Sequence, residues 1–156
     1  MTPIERGDRA PDFELPDQDG NPVRLADFRG RTLVLYFYPN ANTPGCTTQA
    51  CSIRDRAAEY DAAGAVVVGI SPDPVSAVKK FHGKQSLNFT LLADEDHAVC
   101  DAYGVWTEKS MYGKKGPRPA HAARSTFIID GEGTVVHVIP KASPKTHDDE
   151  VLAVLA

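Results

Sequence analysis

A chain of 156 residues, 42% hydrophobic and 24% charged, is long enough to bury roughly two thirds of its unfolded surface in a single globular domain. Its formal net charge of −4, with lysine pairs only at 79–80 and 114–115, excludes the basic tract a nucleic-acid binder needs. The longest apolar runs, such as VVVGI at 66–70, are far short of a membrane span, and the charged, proline-bearing first sixteen residues have no signal-peptide core.

Residues 13–25, FELPDQDGNPVRL, read as two short strands around an Asp-Gln-Asp-Gly turn. LADFRG follows as a helical turn stopped at Gly30. TLVLYFYP, at 32–39, is apolar at almost every position and rich in β-formers. That pattern predicts a central strand covered on both faces, ended by Pro39 because proline gives no amide to a ladder. Thr47 to Ala63 follows a helical period, with Ala50, Ile53, Ala57 and Tyr60 on one face and Gly64 as the expected C-cap. AVVVGISPD (65–73) is a second buried strand, and PVSAVKKFHGKQ (74–85) a second helix packing through Val75, Val78 and Phe81.

Asp94 is expected to cap a shorter helix through EDHAVCDAYG. Residues 105–123 lack any period and read as a long surface loop. RSTFIID and TVVHVIP form a hairpin around Asp130–Gly133, and Thr146-x-x-Asp149 has the form of a capping box opening a last helix through Val151, Leu152 and Leu155. Strands alternating with helices, followed by a late hairpin, indicate an α/β chain with a thioredoxin-like fold: a central mixed β-sheet flanked by helices, with an N-terminal β-hairpin extension.

The chemistry lies in YPNANTPGCTTQACSIRD, residues 38–55. The expected location is the cytosol, where a fixed framework of disulfides is not maintained, so the closely spaced Cys46 and Cys51 call for another explanation. Zinc needs four ligands; Cys100 stands apart, and His82, His97, His121, His137 and His147 show no ligand spacing. Neither a metal nor an organic cofactor is expected. Cys100, beside Val99, reads as a small buried hydrophobe. Cys46 instead follows Thr-Pro-Gly at a helix start, where unpaired amides and the macrodipole favour a thiolate and hence a nucleophile.

Five residues of regular helix separate two Cα atoms by roughly 8.6 Å, whereas a disulfide tolerates at most about 7 Å. A Cys46–Cys51 bond, if formed, therefore requires the helix to unwind. The C-x-x-x-x-C spacing disfavours a general dithiol–disulfide oxidoreductase, which closes a C-x-x-C pair within the first turn. A redox-regulated holdase, whose unwound helix exposes apolar surface, stays as the third reading.

Pro39-x-x-x-Thr43-x-x-Cys46, extended as TPGCTTQAC, resembles the active-site motif of peroxiredoxins in the bacterioferritin comigratory protein (peroxiredoxin Q) subfamily. GDRAPDFELPDQDGNPVRLADFRG, VVVGISPD, EKSMYGKK, ARSTFIID and PKTHDDEVL resemble that subfamily too, so the similarity covers nearly the whole chain. The resemblance implies a thiol peroxidase acting on hydrogen peroxide and organic hydroperoxides. In it, Cys46 is the peroxidatic cysteine oxidised to a sulfenic acid, and Cys51 is the resolving cysteine that closes an intramolecular disulfide. Thr43 supplies a hydroxyl to thiolate and peroxide, Arg124 a guanidinium from a neighbouring strand, and Pro39 shields the pocket. Thioredoxin or a similar dithiol is the implied reductant, and a monomer the implied state. The chain departs from many relatives at Asn40–Asn42, where they carry charged residues, and at Gln49, where a glutamate often stands. Gln49 would turn a helix-to-arginine ion pair into a neutral hydrogen bond.

Overall fold

The computed structural model describes residues 4–41, 43–107, 110–111, 116–117 and 121–155; Asn42 and most of EKSMYGKK lie outside these. Strands β1 (Glu14–Pro16) and β2 (Pro22–Arg24) pair as the expected hairpin, and a 3-10 turn at Leu25–Phe28 leads into β3 (Thr32–Phe37). Helices α1 (Pro44–Asp55) and α2 (Ala57–Ala62) precede β4 (Ala65–Ser71), α3 (Val75–Lys84), β5 (Thr90–Ala93) and α4 (Ala98–Ala102). Four two-residue strands follow: β6 (Trp106–Thr107), β7 (Ser110–Met111), β8 (Gly116–Pro117) and β9 (His121–Ala122). The chain then forms β10 (Ser125–Ile129), β11 (Val135–Ile139) and α5 (His147–Leu155).

Five strands make the main sheet in the order β11–β10–β3–β4–β5, with β3, β4 and β5 parallel and β10 antiparallel to both its neighbours. The apolar run of β3 explains its central place. Val34, Tyr36 and Tyr38 pack on one face with Ala50, Ile53, Phe81 and Val151 from α1, α3 and α5. Leu33, Leu35 and Phe37 pack on the other with Phe13, Leu15, Leu25, Cys100 and Tyr103. Successive side chains of a strand point to opposite faces, so only a strand buried on both sides reads as continuously apolar.

Several boundaries differ from the sequence expectation. The helix expected from Thr47 to Ala63 begins earlier, at Pro44, and breaks at Arg56, whose φ and ψ are −106° and 20°. Proline suits a first helical position because its fixed φ is already helical and its missing N–H has no partner there. At the break, the Arg56 amide is shared between the Ser52 and Ile53 carbonyls, the tightening common at helix ends. Strand β5 lies outside the sequence expectation: Thr-Leu-Leu-Ala is too short to show a period, and its parallel register against β4, Gly69 opposite Leu91, comes from tertiary pairing. Within 105–123, expected as a loop without structure, β6 pairs with β9 and β7 with β8.

Asp94 does serve α4, through bonds from the Val99 and Cys100 amides at 3.2 and 2.8 Å. Asp149, the expected capping-box residue of α5, accepts from Arg56 Nη1 at 2.8 Å. Among the described residues, no helix is long and apolar enough to cross a membrane.

Candidate active site

The site forms where β3 ends. The register Ser125↔Phe37 sets Arg124, one residue before β10, level with the Tyr38–Pro39 end of β3. The strand ends at Phe37, two residues before the half-buried Pro39 expected to stop it, and the Ala41 amide that follows donates to Asp73 Oδ2 at 2.8 Å, tying the loop to the end of β4. Thr43 is the N-cap residue of α1, and the bond from the Thr47 amide to the Thr43 carbonyl, 2.9 Å, opens the helical ladder. Cys46 is thus the third residue of the helix rather than the residue before it. It still lies in the first turn, where the positive end of the helix acts.

Cys46 is only 1% exposed, packed among the residues of the α1 face of the core. Arg124 Nη2 lies 3.4 Å from its Sγ, and Arg124 Nη1 donates to Gln49 Oε1 at 2.7 Å. A guanidinium only donates, so the Gln49 atom facing it must be oxygen. The neutral hydrogen bond predicted for Gln49 is the one found, and no ion pair of Arg124 occurs among the described residues. Gln49 Nε2 is buried without a partner among the described residues. A Cβ at Gly45 would lie 3.0 Å from Arg124 Nη2, so the Pro-Gly pair does more than turn the chain: glycine lets the guanidinium approach.

Thr43 departs from expectation in orientation. Its hydroxyl donates to the Asn40 carbonyl at 2.9 Å, which leaves its oxygen free to accept. Cys51 lies further along the same unbroken helix, half-buried, with Sγ donating to Gln85 Oε1 at 3.4 Å. All three cysteines are thiols. Cys100 is fully buried on the opposite face of the sheet from Cys46, and burial together with the nearby Asp94 pushes its thiol far above the usual range. Burial and the raised thiol both favour the silence that the sequence leads one to expect of it.

No group of three metal-ligating side chains occurs among the described residues. Sequence reasoning missed Asp73 and Gln85. The SPD turn carries a hint of the first, since Asp after a strand often binds a nearby amide; nothing local marks the second.

A buried thiol beside an arginine at a helix start is the arrangement for attack on a small electrophile, and relatives of this chain carry the matching names. A profile of the AhpC/TSA family matches residues 6–138. Peroxiredoxin Bcp of Escherichia coli K12 is 49% identical over 152 residues, which is 97% of this chain and 96% of the relative. The crystal structure of peroxidoxin BcpB from Mycobacterium tuberculosis superposes with a TM-score of 0.85 at 41% identity, covering 97% and 96% of the two chains. A Xanthomonas campestris bacterioferritin comigratory protein, described for its alkyl peroxide reduction activity, gives a TM-score of 0.84 at 39% identity over 92% and 89%. The chain therefore belongs to the AhpC/TSA family, as a thioredoxin-like peroxiredoxin similar to those named Bcp and peroxiredoxin Q.

Proposed function

We propose that the chain reduces hydrogen peroxide and organic hydroperoxides with Cys46 as the attacking thiolate and Cys51 as the resolving thiol. The observation that carries this reading is the contact of Arg124 Nη2 with Cys46 Sγ at 3.4 Å, braced by Gln49. Guanidinium and helix N-terminus set donors and positive charge against the sulfur without a metal.

The thiolate attacks one peroxide oxygen and the O–O bond breaks. The second oxygen leaves as water or an alcohol after gaining a proton, and Cys46 becomes a sulfenic acid. Negative charge develops on the departing oxygen in the transition state, and Arg124 is the donor that meets it. Thr43 Oγ, its proton given to Asn40, accepts from the peroxide O–H and orients the substrate. Gln49 Nε2 is a further donor within one helical turn of Cys46. Pro39 closes the pocket against water. The Cys51 thiol then displaces hydroxide from the sulfenic sulfur, giving a disulfide and water.

A thioredoxin-like dithiol returns the pair to thiols by exchange. The alkyl peroxide activity named for the Xanthomonas campestris relative supports the organic substrates. The reducing setting such a cycle needs suits a cytoplasmic monomer.

The Cys51→Ser variant tests the division of labour. A single turnover with peroxide should oxidise Cys46 at the unmodified rate. Steady-state turnover with thioredoxin and its reductase should fall at least about tenfold, because the sulfenic acid waits for an external thiol. Unchanged thioredoxin-coupled turnover would remove Cys51 from the resolving role.

A further inference from the structure

We propose that Ser52, through Asp148, is a positioning residue for the resolving step: it clamps the Cys51 half of α1 so that Cys46 moves to a stationary Cys51. The inference rests on the resolving role given to Cys51 above. It explains how a pair held roughly 8.6 Å apart by an intact helix can close to the limit of about 7 Å.

The two halves of α1 are held very differently. Ser52 Oγ donates to Asp148 on α5, and the same carboxylate accepts from Tyr60 Oη of α2. His147, beside Asp148, reaches the sheet through Nε2 to Thr126 Oγ1 on β10 at 2.7 Å. On the other flank, Cys51 Sγ meets Gln85 Oε1 at 3.4 Å, and Arg54 Nη1 donates to the Gln85 carbonyl at 2.6 Å. Segment 51–54 is thus fastened to α5 on one side and to the end of α3 on the other. Asp148 is 3% exposed, and although burial opposes its ionisation, the His147 ring 3.7 Å away and hydrogen bonds from Ser52 and Tyr60 hold the carboxyl below the usual range.

Besides the packing of Cys46 and Ala50 in the core, the polar ties of the Cys46 half run to Arg124, through Gln49 and the sulfur itself. Oxidation to a sulfenic acid takes the negative charge off that sulfur and weakens its attraction to the guanidinium. The helix is therefore released at its start and gripped at its end. A remnant of about one turn has no stability of its own, so residues 51–55 stay helical after unwinding only while side-chain ties hold them. The reaction joins Cys46–SOH and Cys51–SH to a disulfide and water. Holding one partner still raises the effective concentration of the other.

The test is hydrogen exchange with mass spectrometry on the reduced and peroxide-oxidised protein, paired with stopped-flow measurement of sulfenate formation and disulfide formation. Oxidation of the unmodified chain should strip protection from amides 47–54, whose acceptors are the carbonyls of residues 43–50, and preserve it at 55 and 56, whose acceptors are those of Cys51 and Ser52. In Ser52→Ala, protection at 55 and 56 should also vanish on oxidation. Disulfide formation should slow about tenfold, the scale of one hydrogen bond to a carboxylate, while sulfenate formation stays unchanged. Excess peroxide should then drive more Cys46 to sulfinic acid.

Ser52→Thr keeps the hydroxyl and should restore both readouts. Tyr103→Phe, which loses the bond to the Pro11 carbonyl on the opposite face, should alter neither and controls for general destabilisation. Loss of protection at 55 and 56 equal to that at 47–54 in the oxidised unmodified chain, or a Ser52→Ala step as fast as or faster than the parent, overturns the clamp alone. Failure of the unmodified chain to link Cys46 to Cys51 overturns the resolving role and the clamp with it.

Discussion

Replacing Cys46 with serine is expected to lower peroxide turnover by roughly a million-fold, the scale of losing a covalent nucleophile. The substitution is nearly isosteric, and Cys46 is buried in a packed core, so the fold should survive. What is lost is ionisation: a hydroxyl in the same place stays protonated and is a poor nucleophile toward oxygen. The other thiols cannot compensate. Cys100 is enclosed on the far face of the sheet with its thiol pushed up by burial, and Cys51 lies further along the helix, against Gln85. Peroxide consumption with dithiothreitol as reductant, alongside circular dichroism, checks this. Turnover within tenfold of the parent would place the attacking sulfur elsewhere.

Arg124→Ala should slow oxidation of Cys46 by hydrogen peroxide by about 10²–10³-fold, the cost of removing one preorganised donor from a developing oxyanion. The effect has two sources that act on the same atoms. In the proposed mechanism the guanidinium lies against the sulfur before reaction, and it meets the leaving oxygen in the transition state. Arg124→Lys separates charge from geometry. A lysine keeps the charge, but a single ammonium lacks the planar fork that spans Gln49 Oε1 and Cys46 Sγ at once, so a smaller loss of about tenfold is expected. Competition kinetics against a peroxidase of known rate would measure both. An Arg124→Ala rate constant within threefold of the parent would show that the helix start alone carries the charge stabilisation.

The elements legible in the sequence are those whose burial is written in local pattern. Residues 32–39 announced β3 because both faces are covered, and the late hairpin was marked by Gly133 between two apolar runs. The cysteine proposed to attack was legible for a similar reason: Thr-Pro-Gly ahead of a helical period marks a helix start whichever residue begins it. The family resemblance supplied Arg124, which lies 78 residues from Cys46 in sequence and which no local pattern could have placed there.

What escaped notice depends on distance or on orientation. Ser52 and Asp148 are 96 residues apart, and neither flank hints at the other. Asp73 reaches back 32 residues to hold the Ala41 amide. The turn of the Thr43 hydroxyl toward Asn40 is a rotamer, which sequence does not specify. At the Arg56 break the side chain joins Glu59 and Asp149, the second on a helix at the other end of the chain.

Adding one equivalent of hydrogen peroxide to the fully reduced protein and mapping its cysteine peptides by mass spectrometry tests the central claim most directly. The account predicts a loss of two hydrogens, with the Cys46 and Cys51 peptides linked and Cys100 still a free thiol. A stable added oxygen with unlinked peptides, or oxidation appearing first at Cys51 or Cys100, would contradict it.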